Sequence, residues 1–155
     1  MKLIQGSKAT LLFQLGRREG SLLLQVLKLY PRVPPAHQPL SKSGRLPDQE
    51  ENQQLLDEAL AEQRAANKKQ LQTLLADPRR FQRTDAGFRL SLSRAEAEWV
   101  LQVLNDIRVG SWIILGSPEG EIGGLDAGTA SDFGAMEMAG YFEAELLKAL
   151  SREAG

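Results

Sequence analysis

The stretch Ser93 to Leu115, SRAEAEWVLQVLNDIRVGSWIIL, decides how the rest of the chain must be arranged. Ser93-Arg94-Ala95-Glu96 has the form of a capping box. The Ser93 hydroxyl accepts from the backbone N–H three residues on, and Glu96 reaches back to the first free N–H. Gly116, Ser117 and Pro118 mark the other end, because glycine adopts the left-handed cap and proline cannot continue the helix. The spacing therefore predicts a helix over 93–115, about 34 Å long. Its apolar residues run from Ala97 to Leu115, include both tryptophans and cover more than one stripe, so burial on several sides is expected. Glu96, Glu98, Asn105, Asp106 and Arg108 break the run long before the ~18 apolar residues of a membrane span. Gly110-Ser111 predicts either close approach of another backbone or a kink.

Asn105, Asp106 and Arg108 are out of place in such a helix, since polar groups among apolar neighbours need partners. Two readings follow. In the first they form a structural network, with Asp106 or Asn105 holding a loop and Arg108 paired to a carboxylate. In the second they line a small polar binding site.

With 155 residues the chain is long enough for one domain, 1–155, with a substantial core. It contains no cysteine, which excludes disulfides, thiolate metal sites and cysteine catalysis. The first twenty residues lack the apolar core and small-residue cleavage site of a signal peptide, so a cytoplasmic protein of bacterial type is expected. The net charge of -1 hides an asymmetry: residues 1–49 carry eight Lys and Arg against two Asp and Glu, and residues 116–155 carry two against eight. Either the two ends lie together in the fold, or each offers a charged surface to a partner.

Outward from the central stretch, Thr10–Leu15 reads as a short strand bounded by Gly16. A helix follows, with Leu22, Leu23, Val26, Leu27 and Tyr30 at helical spacing, ended by Pro31. Residues 31–47 are proline-rich and predict an extended crossover. They contain His37, the only histidine, which has no companion for metal binding and no visible partner for catalysis. Residues 48–76 read as a long helix capped by Asp48, with acidic residues early and basic ones late, in keeping with the helix dipole. Its leucines are grouped at both ends, so packing at the ends and bridging between them is expected. A coiled coil built on apolar seam positions is not supported over enough heptads. Asp77-Pro78 stops this helix, and 81–92 reads as a β-hairpin turning at Asp85-Ala86-Gly87.

Arg79, Arg80, Arg83 and Arg89, with Arg94 beside them, cluster around that hairpin. Arginine suits anion or nucleic-acid recognition. The acidic pI of about 5.9 and the neighbouring carboxylates argue against nucleic acid and for ion-paired surface. Residues 116–129 are glycine-rich and acidic, match no phosphate-binding loop, and predict a mobile loop; Glu119, Glu121 and Asp126 lack calcium-loop spacing. The last helix is expected to open at Ser131 or Asp132 and to run to about Leu150.

Trp99, the apolar run after it and Leu104-Asn105-Asp106-Ile107-Arg108 resemble the signature of an uncharacterised bacterial family, the domain-of-unknown-function family numbered two thousand and seventeen. The order of parts is similar as well: an early helix with Arg18-Glu19, a long middle helix, the Trp and Leu-Asn-Asp-x-Arg helix, a variable loop and a closing amphipathic helix. The resemblance implies a small cytoplasmic protein without an established enzymatic activity. In actinobacterial members the gene neighbourhood of a Clp-protease adaptor implies regulation or proteostasis.

The expectations combine into a mainly α fold. A bundle of about four helices surrounds the buried central helix (93–115), with a small antiparallel sheet of 10–15, 81–84 and 88–92. The expected role is that of a non-enzymatic regulatory or adaptor-like protein with a protein partner and a homodimer through 48–76 or 93–115. No cofactor, metal or membrane is implied. The alternatives are a DNA-contacting regulator using Arg79, Arg80, Arg83 and Arg89, or a small-ligand protein using Asn105, Asp106 and Arg108.

Overall fold

The computed structural model describes residues 1–34, 49–116 and 126–154. His37, Asp48, Glu119 and Glu121 fall outside the described residues. The elements in chain order are β1 (Lys2–Gly6), β2 (Thr10–Leu15), α1 (Arg17–Leu27), α2 (Gln49–Ala76), β3 (Phe81–Thr84), β4 (Gly87–Ser93), α3 (Arg94–Ile114) and α4 (Ala127–Ala154).

The sheet is antiparallel throughout, with strand order β1-β2-β4-β3. Period-two alternation sorts its faces. Leu11, Phe13 and Leu15 of β2 and Phe88, Leu90 and Leu92 of β4 turn inward and are buried. The pairs Leu12↔Ser91 and Gln14↔Arg89 lie on the opposite face. The β3–β4 turn closes with Thr84↔Gly87 in register. Gly87 has φ 141°, and a Cβ there would lie 2.2 Å from the Leu15 carbonyl oxygen. Only glycine fits both the conformation and the space.

Helices α1, α3 and α4 cover the inner face. Gly20 lets α1 sit directly on the Phe88 ring, since a Cβ would come within 2.1 Å of it. α3 lies along α4, and Val100, Val103, Leu104 and Ile107 meet Ala139, Phe142, Leu146 and Ala149 in the core. α2 adds only Leu71 and Leu74 from its last turns to the buried set.

Several sequence expectations hold at the level of single elements. The Ser93–Glu96 capping box is present in both directions, with Glu96 N–H donating to Ser93 Oγ at 3.0 Å and Ser93 N–H to Glu96 Oε1 at 2.7 Å. Gly116 takes φ 90° just past α3. The hairpin and β2 lie where alternation placed them.

The bundle around a buried central helix does not hold. The sheet has four strands rather than three, and α3 is one of three helices layered on it rather than an axis they surround. Its buried residues, Ala97, Val100, Val103, Leu104, Ile107, Gly110 and Ser111, fall on one stripe. Trp112 and Ile114 stay 38% and 50% exposed. Apolar residues on a second side signified a ragged edge of the core, not burial all round. β1 carries little strand signal of its own, because KLIQG has one inward residue, Leu3, and gains its ladder only from β2.

α4 also begins earlier than expected. Asp126 Oδ1 accepts from Thr129 N–H at 2.8 Å, and Ala130 N–H donates to the Asp126 carbonyl at 2.9 Å. Residues 127–130 are thus the first turn of a helix, not the end of a loop, and Gly128 misled because it is tolerated there. The buried side chains of α2 come from its C-terminal end; Leu55, near the other end, is 60% exposed. No helix among the described residues is long and apolar enough to cross a membrane.

Candidate functional site

Asp106 is the centre of a polar junction where three separate segments meet. Its Oδ1 accepts from the backbone N–H of Arg32 at 2.6 Å and of Val33 at 3.3 Å. Its Oδ2 lies 3.8 Å from an Arg64 guanidinium nitrogen of α2. Arg64 in turn donates to the Val33 carbonyl at 2.7 Å. One carboxylate of α3 thereby holds the chain leaving α1 and one residue of α2. A carboxylate suits this position because two backbone donors and a cation converge on it, and charge-assisted bonds are the stronger kind.

Gly110, one turn further along α3, explains how the segment comes so close. A Cβ there would lie 2.5 Å from the Arg32 carbonyl carbon. The Arg32 side chain continues across to α4 and pairs with Asp132. Beside the junction, Asn67 of α2 donates to the Tyr30 hydroxyl at 3.1 Å. The basic first part of the chain and the acidic last part are thus in contact, through Arg32 and Asp132.

Asn105 and Arg108 do not join Asp106. Helical rotation places them on the side of α3 that faces α4. There Arg108 donates to Asn105 Oδ1 at 2.9 Å and to Glu143 Oε1 at 3.0 Å. The three residues form two unrelated contacts, a half-buried clamp and a surface pair between helices.

The arginines around the hairpin are likewise dispersed. Arg80 pairs with Glu96 and donates to the Ser91 carbonyl at 3.1 Å, so it braces the capping box of α3. Arg94 donates to the Leu150 carbonyl at 3.0 Å near the end of α4. Arg83 lies 5.9 Å from the centroid of the Phe88 ring. Arg79 is 88% exposed beside Asp77, and Arg89 lies on the outer sheet face.

Glu96 is held below the usual carboxylate range: burial pushes it up, but the Ser93 N–H and the Arg80 guanidinium more than offset that. Glu19 behaves similarly. Burial raises it, and the Met1 ammonium and Tyr141 hydroxyl pull it lower overall. The same contact pushes Tyr141 up to about 12.

A groove of about 240 Å³ opens between α2 and α3, lined by Arg64, Asn67, Trp99, Gln102, Tyr30 and Asp106 among others. The Trp99 indole N–H is buried and has no acceptor among the described residues. Among those residues no group of three or more His, Asp and Glu is arranged to hold a metal ion.

Asp106 was legible in the sequence as a polar residue in need of partners. Arg64, Asn67 and Tyr30 were not. Arg64 and Asn67 stand three residues apart on the face of α2 that continues Leu60 and Leu71, and that shared face was the available signal. No protein-family model matches the chain, and neither the curated proteins nor the solved structures contain a match to it.

Proposed function

We propose that this chain is a non-enzymatic interaction protein with a regulatory or adaptor-like role, and that it presents α2 to its partners. The outward face of α2 carries the reading. The helix has 28 residues, yet only Leu71 and Leu74 enter the core and Leu55 is 60% exposed. A helix that gives so little to its own fold is stabilised by side-chain pairs such as Gln53–Asp57 and Gln54–Glu58, and is free to bridge to another molecule. The polar residues of α3 support the same reading from the other direction. Asp106, Asn105 and Arg108 make their bonds to groups of their own chain. The resemblance of Trp99–Arg108 to the uncharacterised bacterial family suits such a role.

The test compares capture from native lysate by the wild type and by Leu55→Glu/Ala66→Glu. Species held by the wild type and lost from the variant are expected. Identical capture by both would overturn the proposal.

A second reading rests on the groove beside Asp106. The Trp99 indole N–H lacks an acceptor among the described residues, and the Asp106 carboxylate lies in the same lining, so a small neutral molecule with a carbonyl acceptor is the class of ligand that fits. Titration with acetamide and benzamide, followed by the Trp99 indole signal in NMR, tests it. An unmoved signal at millimolar ligand removes it.

A further inference from the structure

Resting on the proposal that α2 is a docking surface, we infer that the occupant of its outward face is a second copy of this chain, packed antiparallel. Leu60, Arg64, Asn67, Leu71 and Leu74 face the body, three or four residues apart. The opposite side presents Leu55, Ala59, Glu62, Ala66, Lys69 and Thr73 at the same spacing, and every one of them is exposed. This seam is too poor in large apolar groups to drive association as a leucine seam does. Charge decides both the occupant and its direction.

α2 is divided cleanly by sign. Up to residue 63 it carries Glu50, Glu51, Asp57, Glu58 and Glu62 and no Lys or Arg. From residue 64 it carries Arg64, Lys68 and Lys69 and no Asp or Glu. Arg64 is turned to Asp106 and Val33, so the two lysines remain for a partner. Two parallel copies would set like charge against like along the whole contact. Two antiparallel copies set the acidic half of each against the basic half of the other, and the two-fold axis repeats each attraction.

The register follows from the seam. Leu55 stands level with Thr73 of the second copy, Ala59 with its Lys69, and Glu62 with its Ala66. The Lys69 stem then crosses the small Ala59, and its ammonium falls between Glu58 and Glu62. The area suffices as well. In this register residues 52–76 overlap, and half the circumference of a helix about 38 Å long and about 11 Å across offers roughly 650 Å² per copy. The pair then buries roughly 1,300 Å², within the range of about 1,200–2,000 Å² for stable interfaces.

Light scattering and sedimentation equilibrium on the full chain at tens of micromolar test the inference. The wild type is expected at twice its 17.1 kDa mass. Glu58→Lys/Glu62→Lys and Lys68→Glu/Lys69→Glu each place like charges across the axis. Each is expected to run as a monomer, with self-association weakened by about tenfold or more. Mixing the two variants restores both attractions, and the mass should return to that of a dimer. Circular dichroism of each variant checks that it is folded, and the rescue on mixing cannot come from unfolded chains. A monomeric wild type overturns the dimer, as does a dimer indifferent to both charge reversals or a mixture that stays monomeric. A monomeric wild type leaves the lysate comparison standing as its own test of the docking role. Conversely, a charge-sensitive dimer whose lysate partners ignore Leu55→Glu/Ala66→Glu overturns that role and leaves the dimer intact.

Discussion

α3 and α2 are both long helices, and they are built on opposite plans. α3 commits a stripe of seven buried residues to the core and uses its polar groups to fasten neighbours. α2 commits its last turns to the core and is held further up by Arg64 and Asn67, through Asp106, Val33 and Tyr30. The difference shows that local sequence establishes a helix, whereas docking depends on what lies across from each face. A helix docked by apolar area resists local opening. One docked by a few polar bonds opens at a lower free energy than the whole domain.

The comparison breaks most severely if α3 loses its main packing partner. Phe142 is fully buried between α3 and the sheet, and Phe142→Ala is expected to cost about 3–5 kcal/mol in denaturant unfolding. Gly110→Ala should come next. The new methyl collides with the Arg32 backbone, and a loss of about 1–3 kcal/mol is expected where helix propensity alone predicts a gain. A neutral result there would show that the segment after α1 yields easily.

Asp106→Ala leaves the Arg32 and Val33 N–H groups without their acceptor, at an expected cost of about 1–3 kcal/mol. Hydrogen exchange sharpens the contrast: amides of α2 should lose more protection than those of α3. Equal losses would mean that α2 does not depend on the junction.

A smaller effect is expected at the start of α3. Ser93→Ala should cost about 1 kcal/mol by calorimetry. Glu96 titrates lower in the folded chain than its ordinary value of 4.5. Its contribution is therefore present above that pH and is lost as pH falls through the depressed folded value. Acid unfolding of Glu96→Gln should be shallower than that of the wild type; an unchanged acid limb would show that the Arg80–Glu96 contact does not stabilise the fold. Least of all, Leu55→Ala should change the stability of the isolated chain by no more than about 0.5 kcal/mol in thermal melts at high dilution.

Local signals in the sequence were reliable where the physics is local. Ser93 and Glu96 are three residues apart, Asp85-Ala86-Gly87 closes its own turn, and Leu11, Phe13 and Leu15 alternate within one strand. The candidate cluster on α3 was only partly legible. The three were expected to act together, and the sequence did not show that Asp106 meets a backbone from 74 residues earlier while Arg108 meets a glutamate on the last helix. The arginines near the hairpin were close in sequence and went to different elements, since a strand and a turn send neighbouring side chains to opposite sides.

The sequence by itself determined where most of the helices and strands lie, that Ser93 and Glu96 cap α3, and that Asp106 must find partners. The tertiary structure decided that β1 completes the sheet, that α3 lies in a layer and not on an axis, and that Arg64 and Asn67 hold α2. The reason is that hydrogen-bond ladders and ion pairs between distant segments form only once the chain has closed on itself. Their partners are chosen by proximity in space, and a one-dimensional pattern does not carry that.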